Sequence, residues 1–361
     1  MTLPGVAAEW RIAGVSLEAM ALGLELVRTG GGAATVADAA DPGRATSDPD
    51  LVHGPTTFHL LDLPALDDVL AATPQLLVAA AGEEGGWRRA TLLLSLDGGA
   101  SHESIGQTAP PAVIGVAVTA LAVGVAPMFD DRFAVEVELL NDAMWLEGRD
   151  DDALVAGANL ALLGDELVQF GAVEPLGDRR FGLTRLLRGR RGTEWAADGH
   201  AIGEPFVLLE PPSLRTIALA AGSLGGEAEV LASGIGDDEP AEASTAVVGR
   251  ALRPPAPVHL MAVRLANGDI AIGWTRRSRL GWAWNDGGDA PLGEESERYA
   301  LTIAPSTGTA RAVETAAPDY LYTAAQQAAD GSAGAVSVTL SIAQLGALAA
   351  SLPAAAGTIT L

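Results

Sequence analysis

The sequence contains no cysteine and no lysine. Without cysteine, the chain has no disulfides, no thiolate metal ligands and no cysteine nucleophile. All 22 basic residues are therefore arginines, and 46 acidic residues outnumber them, which gives a formal net charge of −24. A balance this negative repels phosphate backbones and anionic headgroups, so we expect no direct binding of nucleic acid.

Long hydrophobic runs are also missing. A membrane helix needs roughly 20 consecutive apolar residues. The longest candidate, Ala112 to Val125, is interrupted by Gly115 and Gly124 and alternates as strands do. The N-terminal MTLPGVAAEW lacks the basic region of a signal peptide. We therefore expect no membrane insertion and see no export signal.

The familiar catalytic motifs do not occur. There is no G-x-S-x-G pentad, and a lysine-free chain cannot contain a G-x-x-x-x-G-K-[ST] loop. Acidic runs such as RDDDALV (149–155) are expected in solvated loops or strand ends, because adjacency does not give a glycosidase pair its separation of roughly 5 to 9.5 Å. We predict no enzyme, with no catalytic, cofactor-binding or metal-binding residues and no cofactor. The histidines lack the i, i+3 or i, i+4 spacing of a helical metal site: His53, His59, His102, His200 and His259.

The pattern of apolar residues predicts a mainly β fold. Short alternating runs recur between Gly, Asp and Pro; RFAVEVELL (132–140) is one of them, with Phe133, Val135, Val137 and Leu139 on the apolar face. Two hairpins are expected to turn at Gly164-Asp165 and at Gly177-Asp178. Helix is scarce, and short stretches with some helical propensity are ASHESIG (100–106), TAAQQAADG (323–331) and AQLGALAASL (343–352).

A length of 361 residues exceeds the roughly 250 to 300 at which one core stops growing, so several domains are expected. The last one should be a fibronectin type III-like or immunoglobulin-like sandwich, with Trp274 in its core and Tyr299 on a later strand. We predict antiparallel β-modules in this order: 1–110, an N-terminal β-rich domain with a polar insertion at 30–50; 111–210, a β-barrel or meander with an arginine-rich hairpin; 211–254, a linker with strands; and 255–361, the sandwich.

Six arginines lie within thirteen positions, from Arg179 to Arg191. Guanidinium groups bind oxyanions in a bidentate manner, so the cluster could hold phosphate or an acidic partner. Alternatively, it pairs with the chain's own carboxylates across a domain or subunit seam. We favour this interface role and assign it to four of the six: Arg185, Arg188, Arg190 and Arg191. In the last module, Arg276, Arg277 and Arg279 are expected at the solvent edge.

Three long stretches are NLALLGDELVQFGAVEPLGDRRFGLTRLLRGRRGTEWAADGH (159–200), RPPAPVHLMAVRLANGDIAIGWTRRSRLGWAW (253–284) and APLGEESERYALTIA (290–304). Together they resemble the C-terminal portion of the large tail-tip hub protein, also called the host-specificity protein or megatron, of gene transfer agents and siphophage-like prophages. HLLDLPALDD (59–68) and LLLSLDGGAS (92–101) are similar to the part that precedes them in that family. The resemblance spans roughly residues 10 to 345.

This resemblance implies a non-enzymatic structural component of a tail tip or baseplate hub. Such a protein is assembled in the bacterial cytoplasm, becomes part of a virion or phage-like particle, and contacts the host envelope. The implied partners are other tail proteins (distal tail, tape measure, tail fibre), further copies of the chain in a homotrimer, and a host surface glycan. Family members are usually longer and carry an upstream hydrolase-like barrel. We therefore expect a split or truncated gene or a fragment, and carry no upstream activity over.

Two other functions stay open. One is a carbohydrate-binding or carbohydrate-active β-sandwich, because Trp282 and Trp284 flank a single alanine and exposed tryptophans stack on sugar rings. The other is an enzyme whose acids come from distant loops.

Overall fold

The computed structural model describes residues 10–29, 51–124, 129–282, 288–352 and 354–361. The predicted insertion at 30–50 and Trp284 lie outside these ranges. The fold is mainly β and built from antiparallel sheets, which confirms the predicted class. Two compact units divide the chain, Met1–Asp50 and Leu51–Leu361. Within the described ranges, no helix has the length and apolar character needed to cross a bilayer.

The first unit contains one β-hairpin, formed by β1 (Trp10–Glu18) and β2 (Ala21–Arg28). Its turn residues Ala19 and Met20 have φ values of 46° and 63°. Positive φ at both central positions is typical of the tight turns that match the twist of the strands.

Four strands begin the second unit: β3 (Thr56–Leu61), β4 (Gln75–Gly82), β5 (Thr91–Ser95) and β6 (Glu103–Gln107). β3 pairs with β4, and β5 pairs with β6. Within the stretch 100–106, which has some helical propensity, residues 103–106 form strand instead, because they pair along the edge of β5.

A closed six-stranded barrel follows, in the order β10-β11-β8-β7-β12-β9. The predicted hairpins are confirmed, since Leu163 pairs with Glu166 and Gly177 pairs with Arg180. The alternation in 132–140 is confirmed as well, with Val135, Val137 and Leu139 buried. The strands are β7 (Ile114–Ala117), β8 (Val135–Leu139), β9 (Leu160–Leu163), β10 (Glu166–Gly177), β11 (Arg180–Leu187) and β12 (Pro205–Leu208).

The acidic run at 149–155 forms a short helix, α1 (Asp151–Val155), where we expected a loop or strand end. The side chain of Asp150 caps it by accepting a hydrogen bond from the backbone N–H of Ala153, at 2.9 Å. Asp151 and Asp152 lie in the first turn, where negative charge is favourable for the helix dipole.

After the barrel, the chain returns to the first strands. β13 (Leu214–Ala218) pairs with β4, β14 (Glu227–Ser233) pairs with β5, and β15 (Ala241–Ala246) pairs with β14. The two resulting sheets, β13-β4-β3 and β15-β14-β5-β6, enclose one core that includes Phe58, Leu76, Leu92, Ile217 and Val230.

The stretch 211–254 is therefore more than the linker with strands that its composition predicted. Its strands complete both sheets of a sandwich. Short strands with one apolar face can bury that face only by pairing with other strands of a sheet. The barrel is inserted within this sandwich, which is therefore called the split sandwich: strands β3–β6 precede the barrel and strands β13–β15 follow it. The ends of the insertion meet where the N–H of Leu208 donates to the carbonyl of Val113, at 2.9 Å.

Strand β4 is buried on both faces. Leu76 and Val78 face the core of the sandwich, whereas Ala79 and Ala81 join the core of the barrel. Alanine at the second face lets the barrel approach the backbone closely. The two cores consequently lie on opposite faces of the same strand.

The described residues of the last module form seven strands in two sheets, β16-β17-β20 and β19-β18-β21-β22, a fibronectin type III-like sandwich. The rings of Trp274 and Tyr299 meet edge to face in its core at 5.1 Å, which confirms the core position of Trp274. The elements are β16 (Val258–Arg264), β17 (Ile270–Thr275), β18 (Tyr299–Pro305), β19 (Arg311–Thr315), β20 (Asp319–Tyr322), α2 (Ala324–Ala329), β21 (Ser337–Gln344) and β22 (Ala355–Thr360).

Helix α2 forms within the predicted stretch 323–331, where Thr323 and Gln326 make a reciprocal capping box. The stretch 343–352 is not helical. It finishes β21 and then closes on itself through a bridge between Leu345 and Ala350.

Candidate functional site

The arginine segment leaves the barrel at the end of β11 through a sharp turn. Gly189, Arg191 and Gly192 have φ values of 60°, 56° and 88°. Glycine adopts this left-handed region freely, whereas arginine does so at a cost. Because the backbone bends within a few residues, the neighbouring arginines reach different parts of the molecule.

Arg188 points into the barrel and pairs with Glu166. Its Nε and Nη2 donate to Oε2 of Glu166 at 2.9 and 2.7 Å, and the N–H of Gly189 donates to Oε1 at 2.5 Å. Nη1 and Nη2 also donate to the carbonyls of Ala122 and Ala197. The side chains of Arg188 and Glu166 are 1% and 0% exposed, so the ion pair is buried, and each of its side-chain nitrogens and oxygens has a hydrogen-bond partner.

His200 extends this pair into a network. Its Nε2 lies 2.7 Å from Oε2 of Glu166, and its Nδ1 lies 2.7 Å from Oε1 of Glu204. Only the imidazolium form donates from both nitrogens. Burial opposes that charge, but the hydrogen bonds to Glu166 and Glu204 outweigh it and raise the pKa of His200. Burial likewise opposes the charge on Glu166, yet His200 and Arg188 lower the pKa of this carboxyl.

Arg185 lies on the barrel's surface and makes its contacts there. Its Nη2 donates to Oδ2 of Asp151 at 2.6 Å, and its Nη1 lies 3.2 Å from both carboxylate oxygens of Asp131. The guanidinium also stacks over the ring of Phe129, at 4.5 Å from the centroid. Arg185 therefore ties helix α1 and the 129–131 segment to β11.

Arg191 joins three parts of the second unit. Its Nη2 donates to the carbonyl of Leu66 at 2.8 Å, and Nη1 lies 3.5 Å from Oδ1 of Asp68, both in the loop between β3 and β4. The guanidinium also lies over the ring of Trp282, at 5.1 Å from the centroid. The barrel, the split sandwich and the last module thus meet at one side chain.

Arg277 and Arg250 also hold the barrel against its neighbours, a role that the sequence analysis predicted for neither. Arg277 donates to both carboxylate oxygens of Glu194, Nη1 to Oε1 at 2.5 Å and Nη2 to Oε2 at 3.1 Å. Arg250 lies over the ring of Trp195, at 4.6 Å from the centroid. Glu194 and Trp195 belong to the turn that follows the arginine segment, so this turn also carries contacts from the barrel to its neighbours.

The expectation that Arg276, Arg277 and Arg279 lie at the solvent edge is wrong for Arg279, whereas Arg276 and Arg277 keep similar side-chain exposures of 16% and 18%. Arg277 is engaged by Glu194, and Arg279 is buried, with its Nε donating to Oε1 of Glu294 at 2.7 Å. Glu294 is itself buried and neutralises this charge. Arg276 is partly exposed and pairs with Asp289 at 3.1 Å.

The four arginines predicted to form an interface have different environments. For Arg188 the prediction is wrong, because a side chain inside the barrel cannot reach another domain or subunit. Arg191 spans modules, Arg185 contacts its own barrel, and Arg190 lines a cleft. A contact with another subunit stays a prediction. The sequence analysis missed Glu166, the partner of Arg188. One signal could have found it: an acidic residue begins a strand whose next residues are mostly apolar.

Glu166 and His200 have the composition of an acid–base pair, but at 0% and 1% side-chain exposure no substrate atom can touch them. Among the described residues, no group of three or more His, Asp or Glu side chains is placed to hold a metal ion. The network acts by holding charges and backbone segments together.

Comparison with known proteins gives one family match. Residues 112–207 match the family model described as Rcc01698-like, C-terminal. The match covers the barrel, from just before β7 to within β12. The name of this family refers to Rhodobacter capsulatus and is related to gene transfer agents. No curated protein matched the sequence.

Three solved structures with a likeness to the chain share 9–10% identity with it. A two-domain fibronectin type III segment of chicken tenascin covers 84% of this chain and 98% of its own, with a TM-score of 0.27. The FN1–FN3 domains of chicken CNTN1 cover 85% and 98%, with a TM-score of 0.21. Domains A168–A170 of titin cover 84% and 98%, also with a TM-score of 0.21. The fibronectin type III-like character of the last module follows from its strand order.

Proposed function

We propose that the chain is a structural component of the tail tip or baseplate hub of a phage-like particle, a gene transfer agent or a prophage. The observation that carries the proposal is the agreement between residues 112–207, which match the gene-transfer-agent-related family, and the inserted barrel. The motifs quoted from 159–200, 253–284 and 290–304 extend the resemblance beyond that domain.

The seam around Arg191 and Arg277 supports a mechanical role. Charged and stacking contacts join the barrel to the split sandwich and to the last module. Modules held together in this way can transmit load between neighbours in a tail. In our proposal the neighbours are the distal tail, tape-measure and tail-fibre proteins and further copies of the chain in a homotrimer, and the host-facing side contacts a surface glycan.

Purified particles test this proposal. A tagged chain expressed in a producing strain should co-purify with particles, and immunogold label should lie at the end of the tail opposite the head. Deleting the gene should give tails that do not assemble or do not infect. Label confined to the soluble lysate, together with normal particles from the deletion strain, would exclude the role.

The proposal includes no catalytic step. Purified chain should release no soluble sugars or muropeptides from polysaccharide or peptidoglycan. Release that disappears when one acidic residue is replaced by its amide would show instead that the chain is an enzyme.

A further inference from the structure

A cleft of about 360 Å³ opens where barrel, split sandwich and last module come together. A volume of this size is typical of small-molecule sites, which span roughly 300 to 1,000 Å³. Its polar groups include Arg190, Arg191 and Asp68, and its apolar wall includes Leu66, Leu209 and Trp282.

Two of the charges in the cleft already have partners. Arg191 donates to the carbonyl of Leu66 and lies beside the carboxylate of Asp68. Trp282 is fixed from both directions, because its Nε1 donates to the carbonyl of Arg279 at 2.8 Å and Arg191 covers its ring. One wall of the cleft is consequently preorganised.

Arg190 differs from its neighbours. Within the part of the chain that the structure describes, its guanidinium has no hydrogen-bond or ion-pair partner at bonding distance. Glu194 is near enough to influence its charge, but it is not within bonding distance of Arg190 and pairs with Arg277 instead. Burial and the neighbouring Arg191 lower the pKa of Arg190. A partly buried cation without a counter-ion is costly, so an anion entering the cleft gains a preformed partner.

A single uncompensated guanidinium suits a single negative charge. Its planar fork matches a carboxylate in bidentate geometry, whereas a dianionic phosphate would bring excess charge close to Asp68. The carboxylate of Asp68 can accept hydrogen bonds from hydroxyl groups, and the apolar wall can take the carbon face of a ring. A polyol ring that carries one carboxylate offers all three features.

We infer that the cleft binds a carboxylate-bearing sugar, with Arg190 holding the carboxylate, Asp68 accepting from a hydroxyl, and the wall at Leu209 and Trp282 contacting the ring. This inference does not depend on the proposed function, because it concerns the purified chain and a soluble ligand.

Calorimetric and NMR titrations of the full chain test the inference. The probes are the methyl glycosides of glucuronate, galacturonate and mannuronate, each beside its methyl ester, which has the same ring without the charge. We expect saturable binding of at least one uronate, with affinity at least tenfold lower for its ester and for Arg190→Gln. The matched control, Arg298→Gln, alters an exposed pair and should bind as the unmodified chain does.

Arg190→Gln should keep the same thermal midpoint, which separates lost binding from lost folding. The inference is overturned if none of the uronates binds. It is also overturned if the unmodified chain binds the ester as tightly as the uronate and Arg190→Gln binds the uronate as tightly as the unmodified chain does. Tighter binding of a short glutamate-containing peptide than of any uronate would also overturn it, because the natural occupant would then be the carboxylate of a protein partner.

Discussion

Individual arginines in this chain carry very different energetic weight, and their surroundings decide it. Arg188 is enclosed and satisfied by Glu166, two carbonyls and a shared network with His200. Arg298 pairs with Glu314 at a similar distance of 2.8 Å, but its side chain is 53% exposed and its partner 63%. Water competes for the second pair and is excluded from the first.

Replacing Arg188 by alanine should therefore cost the barrel about 3–5 kcal/mol, because it leaves Glu166 buried without its counter-ion. The exposed control, Arg298→Ala, should cost about 0–1 kcal/mol. Native-state hydrogen exchange of the amides in β10 and β11 measures the first effect without assuming that all modules unfold together. Equal losses in the two variants would contradict this account of the network.

His200 should make the barrel's stability depend on pH. Its pKa is raised in the folded state, so its contribution is fully present below the ordinary histidine value of about 6.5 and is lost as pH rises through the folded value. Glu166, whose pKa is lowered, contributes above its ordinary value, and that contribution is lost as pH falls.

Exchange protection of β10 should thus decline on the alkaline side of about pH 6.5, and His200→Gln should flatten this decline. The same titration of the last module, whose core contains no histidine among the described residues, serves as an internal reference. A decline that persists unchanged in His200→Gln would assign it to another group.

At the scale of elements, one turn of the barrel contacts both the split sandwich and the last module. Residues 189–195 leave β11 and contact the β3–β4 loop through Arg191 and the last module through Glu194. The left-handed backbone at Gly189, Arg191 and Gly192 makes this possible, because it directs consecutive side chains to different modules.

Arg277→Ala should loosen the last module from the barrel while both remain folded. Losing a charge-assisted contact of this kind reduces the docking free energy by about 1–2 kcal/mol, which raises the undocked population roughly five- to thirtyfold. Small-angle scattering should show a larger radius of gyration, and proteolysis near 253–257 should accelerate. Arg298→Ala, within the same module, should change neither. Loss of the module's dispersed NMR signals would instead show that Arg277 is needed for folding.

Across the whole molecule, the barrel is an insertion whose two ends are adjacent. Because the N–H of Leu208 bonds to the carbonyl of Val113, the barrel can be removed without moving the strands on either side. Replacing 114–207 by two glycines should leave a folded sandwich, though a less soluble one, since Ala79 and Ala81 lose their cover.

A truncation after residue 210 keeps the barrel but removes β13, β14 and β15 together with the last module. This chain should lack the sandwich's cooperative unfolding, because half of that core is gone. Circular dichroism and NMR dispersion distinguish the two variants. If the truncated chain retained the sandwich and the excised one lost it, the connectivity described here would be incorrect.

Sequence patterns over a few residues predicted the features of the fold that depend on neighbouring residues alone. The hairpins at Gly164 and Gly177, the strand at 135–139 and the core position of Trp274 follow from alternation and turn chemistry over a few residues. The return of β13–β15 to β4 and β5 did not, because periodicity gives a strand's faces but not its partner. The directions of Arg188, Arg190 and Arg191 depend on positive φ values that residue type alone does not reveal.

The inserted arrangement also sets an order of events during synthesis. Ser95 pairs with Glu229, so β5 leaves the ribosome well before its partner exists. At roughly 5–20 residues per second, that interval lasts several seconds, long enough for a barrel closed on itself to form first. The unpaired side of β5 stays open to other chains meanwhile. Slower translation through the barrel's codons should therefore increase aggregation of nascent chains, a kinetic liability that the finished sandwich no longer carries.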